Sequence, residues 1–139
     1  MIRTIAIDDE PLALQQLANY IESTPFLQLV GKCQSAVEAK EIMEKEEVDA
    51  IFCDIIMPDI NGMDFIKSLP VTPIVVFTTA SSEYAIDGFK VDAADYLLKP
   101  FGMDEFRRAA LRVKQRYEMA VIPKAKITDE DDTVFIKTD

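Results

Sequence analysis

The chain is predicted to fold as an α/β domain built on a doubly wound, five-stranded parallel sheet. Three observations carry that prediction. Short apolar runs recur along the chain and read as continuously buried strands, the kind found where both sheet faces are covered. Between them lie stretches whose apolar residues repeat at helical spacing. The two kinds alternate, and a repeated β-then-α order calls for right-handed crossovers that place helices on the sheet.

Each element has its own justification. Ile2–Ile7 is an apolar run of strand length. Pro11–Ser23 follows, with Leu14, Leu17, Ala18 and Ile21 on one stripe and Asp9 ahead of Pro11 as a start signal. Leu27–Cys33 and Ala36–Lys45 form the second strand and helix, the helix carrying Val37, Ile42 and Met43. Ala50–Cys53 is the third strand, and Pro58, Asn61 and Gly62 mark a loop before a short helix near Met63–Ser68. Ile74–Phe77 is the fourth strand, Glu83–Phe89 the fourth helix and Asp95–Leu98 the fifth strand. The last helix is expected from about Met103 to Tyr117, with Phe106, Ala110, Val113 and Tyr117 as its stripe. Residues 1–118 thus make one domain, an ordinary size for 139 residues. Residues 119–132 hold Pro123, scattered lysines and the acidic run Asp129–Asp132, and are expected to be an exposed linker. Residues 133–139, "TVFIKTD", read as a strand opening a further domain that the chain lacks.

Composition excludes several function classes. No apolar stretch approaches the ~20 residues of a membrane span, and the start, "MIRTIAIDDEP", does not read as a secretory leader. A cytoplasmic protein without membrane contact is expected. Cys33 and Cys53 sit in apolar runs without a CxxC spacing, as buried inert thiols do. The chain has no histidine, which removes Ser-His-Asp triads, Cys-His pairs and His-based metal sites. A net charge of −10 disfavours nucleic acid. The densest basic stretch, Arg107, Arg108, Arg112, Lys114 and Arg116, lies toward the end of a helix, where cations suit the macrodipole.

In an open parallel sheet, ligands bind beyond the carboxyl ends of the strands. The first strand ends in Asp8 and Asp9, the third in Asp54, the fourth in Thr78 and Thr79, and the fifth in Lys99 followed by Pro100. Singly, Asp9, Asp54 and Thr79 are explicable as caps and Lys99 as a snorkelling lysine. Caps, however, have no reason to gather at the ends of neighbouring strands. Three carboxylates in one pocket repel unless cations sit among them. Lys99 and one divalent ion would bring them to neutrality, and an all-oxygen donor set favours Mg²⁺ with room for phosphate. Such a site suits phosphoryl transfer with Asp54 as nucleophile, Lys99 neutralising charge and a threonine hydroxyl donating to a phosphoryl oxygen.

The segments "IDDEP", "CDIIMPDINGMDF", "FTTAS" and "DYLLKPF", in this order and spacing, resemble the receiver domain of bacterial two-component response regulators over about residues 1–118. The resemblance implies a flavodoxin-like (βα)5 fold with strand order 2-1-3-4-5. It implies that Asp54 accepts a phosphoryl group from a phosphohistidine on a sensor histidine kinase. Asp9, Asp54 and the backbone carbonyl of Ile56 would bind Mg²⁺, with Asp8 supporting. Thr79 corresponds to the switch hydroxyl, Lys99 to the pocket lysine, Tyr96 to an aromatic that turns inward, and Lys99–Pro100 to a cis peptide bond. The chain would catalyse only its own phosphorylation and dephosphorylation. Phosphorylation is expected to promote a homodimer through the face of the fourth helix, fifth strand and last helix, where Phe89, Val91 and Phe101 would supply apolar contacts, Phe89 and Phe101 being equally readable as core residues.

"SSEYAIDGFKVDAADYLLKPF" with "FIKTD" further resembles the subfamily whose output is a LytTR-type DNA-binding domain, truncated here, so that DNA would be bound only through the missing part. Ile56 and Ser81 stand at the two places that tune hydrolysis in the family. Rival readings are a haloacid-dehalogenase-like phosphatase, a receiver acting only as an interaction domain, and a stand-alone relay. The first expects an acid two residues after Asp54, where Ile56 stands.

Overall fold

The structure, a computed structural model, describes residues 1–81 and 92–127, with side chains described as far as residue 120. The element order is β1 (Ile2–Ile7), α1 (Pro11–Glu22), β2 (Leu27–Cys33), α2 (Ala36–Lys45), β3 (Ala50–Asp54), α3 (Gly62–Lys67), β4 (Ile74–Thr79), β5 (Asp95–Leu98) and α4 (Met103–Ile127). The predicted helix Glu83–Phe89, Val91 and the segment past Ile127 lie outside the described residues.

The five strands form one sheet in the order β2-β1-β3-β4-β5, every neighbouring pair parallel. Its two faces bury separate cores, as a doubly wound sheet requires. Ile5, Ile7, Ile51, Cys53, Val75 and Phe77 face α2 and α3, where Ala36, Ala39, Met63, Phe65 and Ile66 close over them. Ala6, Phe52, Val76 and Leu97 face the opposite way, against Leu14, Leu17 and Ile21 of α1 and Phe106, Ala109, Ala110 and Val113 of α4. Phe106 is fully buried and stacks on Phe52 with ring centroids 5.0 Å apart. Burial of a side chain of that size contributes roughly 1.5–3 kcal/mol.

Two elements depart from the expected bounds by more than one residue. β4 runs on to Thr79, so both threonines are strand residues. α4 continues ten residues past Tyr117 to Ile127 and takes in residues 119–127, which composition marks as linker. Met119 and Ala120 are good helix formers. Pro123 forgoes the intrahelical bond to the Met119 carbonyl, a local loss that the helix absorbs without ending there.

Order reversal in the sheet occurs between β1 and β3, the place where open α/β sheets hold ligands. Ile7 pairs with Cys53, so the chain emerges from both strands at the same level. The loop after β3 then folds back on itself. The Gly62 amide donates to the Ile55 carbonyl, and a Cβ on Gly62 would stand 2.3 Å from the Asp54 carbonyl oxygen. Gly62 is required for this close approach and not for its backbone angles, since no glycine among the described residues has positive φ. Gly62→Ala is expected to cost about 1–3 kcal/mol, as overpacking against backbone does. Gly102→Ala, whose Cβ would meet only the Glu105 carboxylate at 3.4 Å, should stay within ~0.5 kcal/mol of wild type. Urea denaturation of both variants checks this, and equal midpoints would refute the packing argument.

Candidate functional site

Each acidic residue reaches the rim by a different local device. Asp8 follows β1 and is buried; its Oδ1 accepts from the Glu10 amide at 2.9 Å. Asp9 is exposed and does not cap α1. Glu10 is the N-cap instead, its Oε1 accepting from the Leu12 and Ala13 amides at 3.0 Å each, so the carboxylate of Asp9 is spared that duty. Asp54 closes β3, 5% exposed, and its Oδ1 accepts from the Ile56 amide at 3.2 Å. One carboxylate oxygen from each of Asp8, Asp9 and Asp54 lies within 4.8 Å of the others.

Lys99 enters this cluster from the far edge of the sheet. Its Nζ donates to Asp8 Oδ2 at 2.8 Å and to Asp54 Oδ2 at 3.0 Å. The Lys99–Pro100 peptide bond is cis. Burial pushes the Asp54 carboxyl above its ordinary value; the Lys99 hydrogen bond and charge pull it back, Asp8 pushes it further up, and the net direction is upward. Burial lowers Lys99, but its bonds to the Asp8 and Asp54 carboxylates outweigh that and hold the ammonium above its usual range. Burial, reinforced by Glu38, pushes the Cys33 thiol up to about 12, and burial raises Cys53 as well, so neither supplies a thiolate near neutrality.

The hydroxyls behave differently from one another. Thr79 Oγ1 accepts from the Ser81 amide at 3.1 Å and shows no bond to the acid cluster. Thr78 pairs in register with Asp54, and strand alternation puts it on the face of Val76 and Phe52, toward α1 and α4. Its Oγ1 is buried without a partner. Tyr96 packs on Phe77 with centroids 5.6 Å apart, and Ile56 holds its side chain outward, 53% exposed.

Sequence reading passed over two supporting groups. Asp59, in the loop after β3, accepts from the Ala36 and Val37 amides at 3.4 and 3.2 Å, tying that loop to the start of α2. Asp95 receives Arg108 Nε and Arg112 Nη1 at 3.0 Å each, while Arg116 donates to the Asp92 and Ala93 carbonyls. Those guanidiniums therefore have partners inside the domain. The Asp59 loop contact has no spacing signal in sequence, and the arginine pairs become visible only once α4 is laid beside β5.

The cluster's donors are all oxygens, clustered at a negative surplus that one ammonium leaves uncancelled. They fit a hard divalent cation better than a thiophilic or imidazole-seeking one. Among the described residues, no helix is long and apolar enough to cross a membrane.

Residues 4–111 match the family model described as the response regulator receiver domain. The chain is 35% identical over 129 residues to the transcriptional regulatory protein BtsR of Escherichia coli (strain K12), covering 89% of this chain and 54% of that protein. It is 32% identical over 136 residues to the sensory transduction protein LytT of Bacillus anthracis, covering 96% and 55%. The chain thus spans about half the length of the relatives it matches. Among solved structures it resembles the response regulatory domain of protein mrkE from Klebsiella pneumoniae, with TM-score 0.76 and 29% identity over 85% of this chain and 99% of that one. With a parallel sheet in the order 2-1-3-4-5, an acid cluster at its order reversal and a family match over most of its length, the chain belongs to the response regulator receiver domain family.

Proposed function

We propose that this domain is a phosphorylation switch in which Asp54 accepts a phosphoryl group from the phosphohistidine of a sensor histidine kinase. The observation that supports it most directly is the position of the Asp54 carboxylate at a strand end, shared by Lys99 and crowded by two further carboxylates. In the transfer, Asp54 attacks phosphorus, the phosphorus–nitrogen bond breaks, and the donor imidazole leaves with the bonding electrons. Asp54 must be ionised to attack. Lys99, already within hydrogen-bond reach of it, neutralises charge on the transferred oxygens. Asp8, Asp9 and Asp54, with the carbonyl of Ile56, would hold Mg²⁺, which supplies positive charge to phosphoryl oxygens when bound.

Thr79 is the readout hydroxyl in this proposal. To reach a phosphoryl oxygen it exchanges its bond with the Ser81 amide for one with the new group. Tyr96 of β5, stacked on Phe77 of β4, then repacks on the face of β5 and α4. That face exposes Leu98 and Leu111, which suit a second copy of the chain, while Phe101 is half-buried against Tyr20. The length of the relatives, and the likeness of "FIKTD" to a LytTR-type opening strand, support a DNA-binding output in the full-length protein, with transcriptional control as its role.

Incubation with acetyl phosphate and Mg²⁺ is expected to add one phosphoryl mass to the wild type and none to Asp54→Ala or to a metal-free sample, by intact-protein mass spectrometry. Failure of the wild type to gain that mass from either acetyl phosphate or a kinase would overturn the reading. Size-exclusion chromatography of the labelled protein should show a dimer that Thr79→Ala, though phosphorylated, forms at least tenfold more weakly. A Thr79→Ala protein that dimerises normally would uncouple the hydroxyl from the switch. In the metal-free protein, the Asp54 carboxyl followed by carbon NMR should titrate above the ordinary aspartate value of 3.8. Lys99→Met removes the hydrogen bond and charge that lower it, so the midpoint should move further up. A downward move would contradict the assigned causes.

A further inference from the structure

Helix α2 begins with a cap drawn from its own sequence. Ser35 Oγ accepts from the Glu38 amide at 3.2 Å, and Glu38 Oε1 accepts from the Gln34 amide at 2.8 Å, a pair of bonds close to a capping box. Two amides of the first turn remain, and a residue from another part of the chain takes both. Ala36 and Val37 donate to Asp59 Oδ1 and Oδ2 at 3.4 and 3.2 Å, across 23 and 22 positions of sequence. Asp59 is exposed, so its carboxylate has water within reach. It sits instead on the positive end of α2, where an anion is favoured. The helix has its own start signal; what Asp59 adds is a tether on the loop after β3.

Between Ile56 and Asp59 the backbone has few free torsions. Pro58 fixes its own φ and confines Met57 to extended angles, and the Met57 side chain is buried. On the β3 side, the Ile56 amide donates to Asp54 Oδ1 at 3.2 Å, and the Ile55 carbonyl accepts from the Gly62 amide at 2.6 Å. The peptide unit after Ile56 is thus suspended between one anchor on β3 and another on α2. We propose that Asp59 is a positioning residue for the metal site: by clamping the loop to the first turn of α2, it holds the Ile56 carbonyl in place for a divalent cation. That role rests on the Mg²⁺ site proposed above, and Asp59 itself touches neither metal nor phosphoryl group. It also joins α2 to the site, because a cation that draws on the loop is felt at the Ala36 and Val37 amides.

Mg²⁺ titrated into the metal-free, nitrogen-labelled protein and followed by amide NMR tests the clamp without any need for phosphorylation. Asp59→Ala is expected to weaken Mg²⁺ about tenfold, the lower end of what losing a group behind a metal ligand costs. Asp59→Asn removes the same charge but keeps one acceptor oxygen for the Val37 amide, and should weaken Mg²⁺ only about threefold. Ser35→Ala, which removes a bond at the same helix end without touching the loop, should bind Mg²⁺ as tightly as wild type. In the wild type the Ala36 and Val37 amides should shift on saturation with Mg²⁺. Asp59→Ala should lose that response and Ser35→Ala should keep it. Equal affinities in wild type and Asp59→Ala would overturn the clamp and leave the metal site standing. Equal losses in the Ala and Asn variants would overturn it as a plain effect of charge. A loss in Ser35→Ala as large as that in Asp59→Ala would overturn it as a matter of helix order alone. A wild-type protein that binds no Mg²⁺ would overturn the clamp and the metal site together.

Discussion

The ammonium of Lys99, held between Asp8 and Asp54, is the interaction on which the architecture of the site depends. Both carboxylates are nearly closed off from water, and two such anions side by side would be untenable without a cation of fixed position. That cation comes from beyond β5, across β4 from Asp54 and two strands away from it in the sheet order. Only a parallel sheet whose strands end at one level brings the three together, and the register of β1 on β3 and of β3 on β4 on β5 supplies that level. The stability of the pair is a secondary matter, because a buried ion pair often gains little over apolar packing. Its consequence is geometric: the Asp54 carboxylate is held at the strand end by a partner that, in the proposed transfer, can also receive the incoming charge.

Around this pair, other residues carry the capping duties that would otherwise consume the clustered acids. Glu10 caps α1, Ser35 and Asp59 satisfy the start of α2, and Asn61 accepts from the Met63 amide at the start of α3. Asp9 is left with its carboxylate near Asp8 and Asp54, and Asp54 uses one oxygen on the Ile56 amide while the other meets Lys99. Gly62 allows the loop to return onto the backbone of Asp54 itself, which fixes the strand end from the other side.

Much of this was legible in the sequence because a fully covered parallel strand has no polar alternation to disguise it. Ile2–Ile7 and Ala50–Cys53 read as strands for that reason, and the rim residues follow from where the runs stop. What escaped depends on side-chain direction or on tertiary context. "TT" at positions 78–79 names two hydroxyls without saying which faces the α1 side; only the pairing of Thr78 with Asp54 decides it. Pro123 reads as a breaker, yet α4 has already been nucleated by a buried stripe and passes through it. The arginines of α4 look like a surface patch until Asp95 and the Asp92–Ala93 carbonyls are placed opposite them.

These contacts also indicate where a change of charge would first be felt. A phosphoryl group on Asp54 replaces one carboxylate charge with roughly −2 and adds acceptor oxygens at the point where Lys99 already divides itself between two anions. The ammonium cannot serve all of them with its present geometry, so its bond to Asp8 is in direct competition with the new group. Thr79 is not engaged with the acid cluster at all; its hydroxyl is committed to a loop amide two residues on. A hydroxyl bound to its own loop is a movable donor, whereas one bound within the cluster would already be spent. Two groups can therefore change partners: Lys99 inside the acid cluster, and Thr79 outside it at the end of β4, next to the Phe77–Tyr96 stack that joins that strand to β5.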